Sequence, residues 1–137
     1  MSRSSAGPRK VVLGTSLFSM WGSYPGLATR LEQLAALVDR MADDAARQFP
    51  DARLDLAALP EFAVNGGLKG HCRDTAQLLD GPVLDAMADV ARRHQCYLTV
   101  PLYLAEDRTA DRFLNIVALL DRQGRFVGRY VFAHPSI

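Results

Sequence analysis

The stretch Leu54-Asp55-Leu56-Ala57-Ala58-Leu59-Pro60-Glu61-Phe62 contains an apolar run that ends in a proline and is followed by an acid. The run predicts a β-strand, and Pro60, which has no N–H donor, ends the hydrogen-bond ladder of that strand. Glu61 then stands at the carboxyl end of a strand, where open α/β sheets collect their reacting groups. A carboxylate held there among apolar neighbours suits a general base, and a surface glutamate that opens a loop is the alternative.

The rest of the chain alternates between strand and helix patterns, which indicates an α/β fold. Apolar and β-branched runs predict strands over residues 10–16, 54–59, 96–104, 113–120 and 125–132. Apolar residues recur every three or four positions from Leu27 to about Phe49, which predicts an amphipathic helix whose charged residues, Arg30 among them, mostly face solvent. A second helix begins at Gly81-Pro82, and a turn at 121–124 joins the last two strands into a hairpin.

These strands need more cover than two helices provide. Runs such as 11–13, 97–100 and 116–120 are nearly all apolar, which is the pattern of strands with both sheet faces buried. Two amphipathic helices cover one face, and soluble monomers rarely leave an apolar face of more than several hundred Å² bare. We therefore predict one mostly buried sheet of about five strands, with two main helices on one face and an open face that something else must cover.

Composition and charge exclude several functional classes. The chain has 137 residues, with 16 Lys+Arg against 15 Asp+Glu, and no basic stripe that would indicate a nucleic-acid partner. No apolar run approaches the length of a membrane span, and residues 1–9, interpreted as a disordered tail, lack the apolar segment of a secretory signal. Two cysteines are too few for a disulfide framework. We expect a cytoplasmic protein without a membrane partner.

The order of these motifs resembles the amino-terminal half of the nitrilase, or carbon–nitrogen hydrolase, superfamily. The resemblance depends on four segments: Leu59-Pro60-Glu61-Phe62, Gly81-Pro82, the hairpin 115–124, and Gly128-Arg129-Tyr130-Val131-Phe132-Ala133-His134-Pro135. It covers about half of a typical family domain, so residues 10–137 are expected to form a partial carbon–nitrogen hydrolase domain. It implies half of a four-layer α-β-β-α sandwich, and hydrolysis of amides or nitriles by a Glu-Lys-Cys triad without metal or organic cofactor.

The resemblance assigns the general base to Glu61. The family lysine, which stabilises the tetrahedral intermediate, belongs two residues after the tyrosine of a Tyr-x-Lys-x-His-Pro pattern, and this chain has Phe132 there. A benzyl group cannot donate a hydrogen bond to an oxyanion, and the only lysines are Lys10 and Lys69. The family cysteine belongs to a later segment, which the 137 residues do not reach. The chain alone is therefore expected to be inactive.

Neither cysteine of the chain is a strong substitute for that nucleophile. Cys96 begins an apolar strand and is interpreted as a buried structural cysteine. Cys72 stands beside His71 and Arg73, neighbours that could activate its thiol, although adjacent side chains need not meet. Asn115 and His134 are interpreted as supports of the local backbone and the hairpin. Trp21 is interpreted as an aromatic residue that lines a pocket or packs on the sheet.

Three functions remain open from the sequence. The first is a carbon–nitrogen hydrolase domain fragment that acts on a small amide or nitrile if it is active. The second is a non-catalytic assembly module that docks through its open sheet face on another copy or on a full-length relative, so that a homo-oligomer is expected. The third is a small flavodoxin-like, cofactor-binding protein. The glycines of 65–71 lack phosphate-loop spacing, and this, with the terminal hairpin, counts against the third.

Overall fold

A short strand and a long amphipathic helix begin the described part of the chain. The structure is a computed structural model that describes residues 7–20, 22–69, 72–106 and 113–132, and the side chains of residues 72 and 73 are not included. Strand β1 covers Val12–Thr15, and helix α1 covers Leu27–Gln48. The helix has no proline or glycine in its interior, and it ends just before Pro50, which disfavours helical backbone at the residue that precedes it.

Four strands and a second helix follow, close to the predicted positions. Strand β2 covers Leu54–Ala58, helix α2 Pro82–His94, β3 Tyr97–Ala105, β4 Phe113–Leu120 and β5 Phe126–Val131. The five strands form one mixed sheet in the order β1-β2-β3-β4-β5. The pairs β1–β2 and β2–β3 are parallel, and the pairs β3–β4 and β4–β5 are antiparallel. The carboxyl ends of β1, β2 and β3 therefore lie at one end of the sheet.

Both helices pack on one face of this sheet, as predicted. Helix α1 contacts β1 and β2, helix α2 contacts β3, and the two helices contact each other. On β3, alternate residues from Leu98 to Leu104 face the helices and pair with Leu120 to Leu114 of β4. The core between the layers is fully buried at several large side chains: Leu34, Val38, Met87, Leu98, Val100, Ile116 and Leu120.

The opposite face of the sheet is largely uncovered by the described residues. Leu13 of the edge strand β1 follows the buried Val12 and is 63% exposed. Tyr130 of β5, at the opposite edge of the sheet, is 64% exposed. Between them the register aligns Leu56 with Tyr97, which is also exposed. The prediction of two helices on one face and an open apolar second face is confirmed.

One sequence-based expectation for α1 is wrong. As a charged residue, Arg30 is expected to face solvent with the other charged residues of the helix, but Arg30 is only 3% exposed. It lies in the first turn of α1, where the chain segment that follows β2 passes over the helix and supplies carbonyl acceptors for the guanidinium. Arg30 stands four residues before the buried Leu34, so the period places it on the buried face, but the period cannot reveal the carbonyl acceptors that allow its burial.

The hairpin turn between β4 and β5 gives a direct test of this packing. Gly124 has a φ of 74°, and a Cβ there would lie 2.6 Å from the carbonyl oxygen of Ala88 on α2. We expect Gly124→Ala to lower the free energy of unfolding by about 2–3 kcal/mol through left-handed strain and overpacking. Gly128→Ala is the matched control, because a Cβ at Gly128 has no neighbour within 4 Å. Urea denaturation of both variants measures the difference, and equal midpoints would contradict this packing.

Candidate functional site

The segment after β2 forms a tight turn at the carboxyl end of the strand. Hydrogen bonds run from the Ala63 N–H to the Pro60 carbonyl at 3.0 Å and from the Gly66 N–H to the Phe62 carbonyl at 2.6 Å. Glu61 lies in this turn, at the end of the sheet where the strand pattern predicts it. Its side chain is exposed, so the described residues do not bury its carboxylate among apolar neighbours. Any apolar environment for Glu61 has to come from outside the described residues.

The backbone beside Glu61 is strained. Phe62 has a φ of 60°, in the left-handed region that side-chain-bearing residues rarely adopt. Its ring packs against Tyr103 of β3 at 6.2 Å between centroids, and Tyr103 in turn packs edge-on against Phe113 of β4 at 5.8 Å. Residues in such conformations cluster at functional sites, where the surrounding structure holds them in place.

A buried arginine holds the same turn from the helix side. The Arg30 guanidinium donates to the Ala63 carbonyl at 2.9 Å and to the Gly66 carbonyl at 3.0 Å. The guanidinium also lies over two rings, Phe18 at 5.2 Å and Tyr24 at 5.3 Å from the centroids. Sequence patterns did not predict this role, and a charged residue within an apolar helix stripe was the available signal.

Phe132 lies at the same end of the sheet as Glu61. Its N–H donates to the Asn115 carbonyl at 3.0 Å, and Asn115 pairs with Tyr103, the residue against which Phe62 packs. Phe132 is therefore about two strand spacings, or about 10 Å, from Tyr103 across the sheet. Its ring also packs edge-on against Tyr130 at 5.4 Å. The Asn115 carbonyl thus extends the β4–β5 pairing by one backbone hydrogen bond beyond the end of β5.

The remaining candidates divide into one buried residue and several outside the described part of the chain. Cys96 is fully buried, and burial raises the pKa of its thiol, as expected for a structural cysteine. Trp21, His71 and His134 lie outside the described residues. The side chain of Cys72 is also not described. Within the described ranges, no three His, Cys, Asp or Glu side chains come together as a metal site.

A second polar centre, which no sequence pattern indicated, lies at the opposite end of the parallel strands. Asp55 of β2 is buried, and its carboxylate accepts from the Val12 N–H at 3.1 Å, from Arg122 at 2.8 Å and from Arg9. Burial alone would raise the pKa of Asp55, but the hydrogen bond from Val12 and the two guanidinium groups outweigh it and lower the pKa. Arg122 also lies over the Tyr97 ring at 5.2 Å. This centre joins β1, β2 and the hairpin turn.

Comparison with protein families gives a match over most of the chain. The carbon–nitrogen hydrolase family model matches residues 21–134. No curated protein matches the chain by sequence. Among the helices of the described segments, none is both long enough and apolar enough to cross a membrane.

Three solved structures show that the fold of this chain occurs in known proteins. Nit3 of Saccharomyces cerevisiae, a member of branch 10 of the nitrilase superfamily, has a TM-score of 0.66 at 18% identity, over 82% of this chain and 41% of that one. A carbon–nitrogen hydrolase of Helicobacter pylori G27 has a TM-score of 0.66 at 15% identity, over 90% and 40%. The NitFhit protein of C. elegans has a TM-score of 0.63 at 17% identity, over 92% and 27%. The chain thus spans well under half the length of each.

Proposed function

Because the chain belongs to the carbon–nitrogen hydrolase family, we propose that it forms one α/β layer of an α-β-β-α sandwich and supplies the general base, Glu61, for hydrolysis of a C–N bond. The substrate class is a small amide or nitrile. The chain needs a second α/β layer on its open sheet face before it can turn over substrate.

The observation that supports this proposal best is the open sheet face with Glu61 at its end. Leu13, Tyr97 and Tyr130 expose apolar or aromatic surface on a face that two packed sheets would bury. Glu61 is exposed at the carboxyl end of the same sheet, where a second layer would enclose it and exclude water. A second α/β layer packed on the open face would therefore both cover that face and enclose the Glu61 carboxylate.

The proposed chemistry follows from the acid–base character of the carboxylate. In the assembled site, Glu61 accepts the proton of a cysteine thiol as the sulfur attacks the amide or nitrile carbon. A cationic donor stabilises the developing negative charge, and the protonated Glu61 then returns its proton to the substrate nitrogen. With an amide this nitrogen leaves and an acyl-enzyme forms. With a nitrile the product of this step is a thioimidate, and a first water converts it to the acyl-enzyme with release of ammonia. Water releases the acyl group from sulfur to complete hydrolysis. The chain lacks a cation at Phe132 and a cysteine nucleophile near Glu61 among the described side chains, so both have to be supplied.

Ammonia release from a panel of small amides and nitriles tests the proposal. The 137-residue chain alone is expected to give no more ammonia than its Glu61→Gln variant. A chimera supplies the second layer. In it, residues 10–132 of this chain are followed by the carboxyl-terminal part of the H. pylori hydrolase, and the family cysteine is expected in that carboxyl-terminal part. Turnover by the chain alone that Glu61→Gln abolishes would show a self-sufficient site and overturn the proposal.

Phe132 favours a second candidate function, a non-catalytic assembly module that docks through the open face on another copy. A benzyl group at the position of the family lysine removes the oxyanion donor but leaves the apolar face intact. Sedimentation equilibrium separates the candidates. The module is expected to self-associate at micromolar concentration, and Leu13→Asp on the open face should prevent this. Leu17→Asp is the matched control, because Leu17 is fully exposed and outside the strands. A monomer at all concentrations would contradict this candidate.

A further inference from the structure

Arg30 is a charged side chain in an unusual place. It lies in the first turn of α1, is 3% exposed, and its Nε–H has no hydrogen-bond partner among the described residues. Burial of a guanidinium is costly unless strong acceptors offset the lost hydration. The acceptors that Arg30 has are the two carbonyl oxygens of the Glu61 turn.

These two contacts bridge the turn. Ala63 and Gly66 are three residues apart, and the Nη1 and Nη2 atoms of one guanidinium reach their carbonyls at 2.9 and 3.0 Å. A planar fork can make both bonds at once, whereas a lysine ammonium is a single point donor on a flexible stem. Phe18 and Tyr24 lie against the guanidinium and restrict its movement. The two rings therefore hold the guanidinium in the orientation in which it can donate to both carbonyls.

The turn needs such a clamp because of its backbone. Phe62, next to Glu61, is held at a φ of 60°, and a strained residue persists only where its surroundings over-determine it. Ala63 and Val64 are buried, which fixes the chain after Phe62, while the Glu61 side chain itself is exposed. The direction of the Glu61 side chain thus depends on how firmly residues 62–66 are held.

We propose that Arg30 is a positioning residue for Glu61: by clamping the Ala63 and Gly66 carbonyls, it keeps the strained turn in the one conformation that presents the carboxylate. The inference rests on the proposed function of Glu61 as general base. The clamp itself is a property of the fold and can be measured without catalysis.

Backbone NMR relaxation of the 137-residue chain tests the clamp. The order parameters of Glu61 and Phe62 are expected to be about 0.85 in the unmodified chain and below about 0.6 in Arg30→Met. Arg40→Met is the matched control, because Arg40 is an exposed arginine of the same helix, and it should leave both values unchanged. Arg30→Lys should give intermediate order parameters at Glu61 and Phe62. If Arg30→Met does not fold, the order parameters of Arg30→Lys provide the test instead. Folded Arg30 variants with unchanged order parameters at Glu61 would overturn the proposal.

Kinetics of the chimera that carries Phe132→Lys separate this inference from the proposed function. There, Arg30→Met is expected to lower kcat by about tenfold or more while KM changes by less than about twofold, because orientation of the base matters in the transition state. A loosened turn with unchanged kcat would refute the positioning role and leave the function of Glu61 intact. A chimera without turnover would refute the function, and the order parameters would still decide whether Arg30 clamps the turn.

Discussion

Phe132→Lys is expected to raise ammonia release by the chimera at least about 10³-fold, because in the proposed function it supplies the cation that stabilises the tetrahedral intermediate. Phe132 lies at the same end of the sheet as Glu61, connected through Asn115 and Tyr103 across two strand pairs. A lysine side chain from this position can extend over the open face toward Glu61. The measurement is the initial rate of ammonia release from the best amide or nitrile of the panel.

Two variants identify the source of the gained activity. Tyr130→Lys adds the same charge two residues earlier, on an exposed side chain of β5, and is expected to leave the rate unchanged. Glu61→Gln in the Phe132→Lys chimera should return the rate to its starting level, since members of a triad act as a unit. If Tyr130→Lys activates as well as Phe132→Lys, a general charge effect explains the gain. If the unmodified chimera is already as active, Phe132 is not at the lysine position.

The elements of the fold could be predicted from sequence because their signals are local. The three-and-four spacing from Leu27 and the continuous apolar strands predicted α1 and the five strands to within two residues at every end. The number of amphipathic helices, compared with the apolar area of the strands, also predicted the open face. That comparison depends on composition and period alone, so it needed no tertiary information.

The polar centres could not be predicted because their partners are far apart in sequence. Arg30 meets carbonyls more than 30 residues away, and Asp55 meets Arg122 across 67 residues. The spacing places Arg30 on the apolar face of α1, but the acceptors that make its burial possible come from a distant segment that no helical period reveals. Asp55 stands within an apolar strand pattern, and the shift of strand register beside it, between Val12 and Leu13, leaves no mark in the sequence. The exposure of Glu61 likewise depends on what covers the open face.

Asp55→Asn is expected to lower the free energy of unfolding by about 2–4 kcal/mol, because it removes the charge at the centre of a buried ion-pair network. Removing one partner of a buried ion pair leaves the other charge uncompensated, which costs about 3–5 kcal/mol when both are buried. Arg122 is 26% exposed and Arg9 is 62% exposed at their side chains, so water recovers part of that cost. Urea denaturation at pH 7 measures the difference.

The same difference should depend on pH in a defined direction. Hydrogen bonding and the two arginines lower the pKa of Asp55 in the folded chain. The ionised carboxylate therefore stabilises the fold fully at any pH at which Asp55 is also ionised in the unfolded chain. This stabilisation is fully present above the ordinary aspartate pKa of about 4 and is lost as the pH falls through the lower folded pKa. The gap in unfolding free energy between the original chain and Asp55→Asn should therefore be constant from about pH 5 to 8 and narrow below about pH 4.

Asp44→Asn shows whether the effect depends on burial rather than on the loss of any acid. Asp44 forms an ion pair with Arg47 on α1, but both side chains are more than half exposed, so its removal should cost less than about 0.5 kcal/mol. Asp55 differs from Asp44 in two respects: its side chain is only 8% exposed, and it joins the backbone of β1 to the turn after β4. Equal costs for the two variants would mean that Arg9 and Arg122 do not hold Asp55 as a buried pair. In that case β1 would be held by its pairing with β2 and by its packing against α1, without a contribution from this centre.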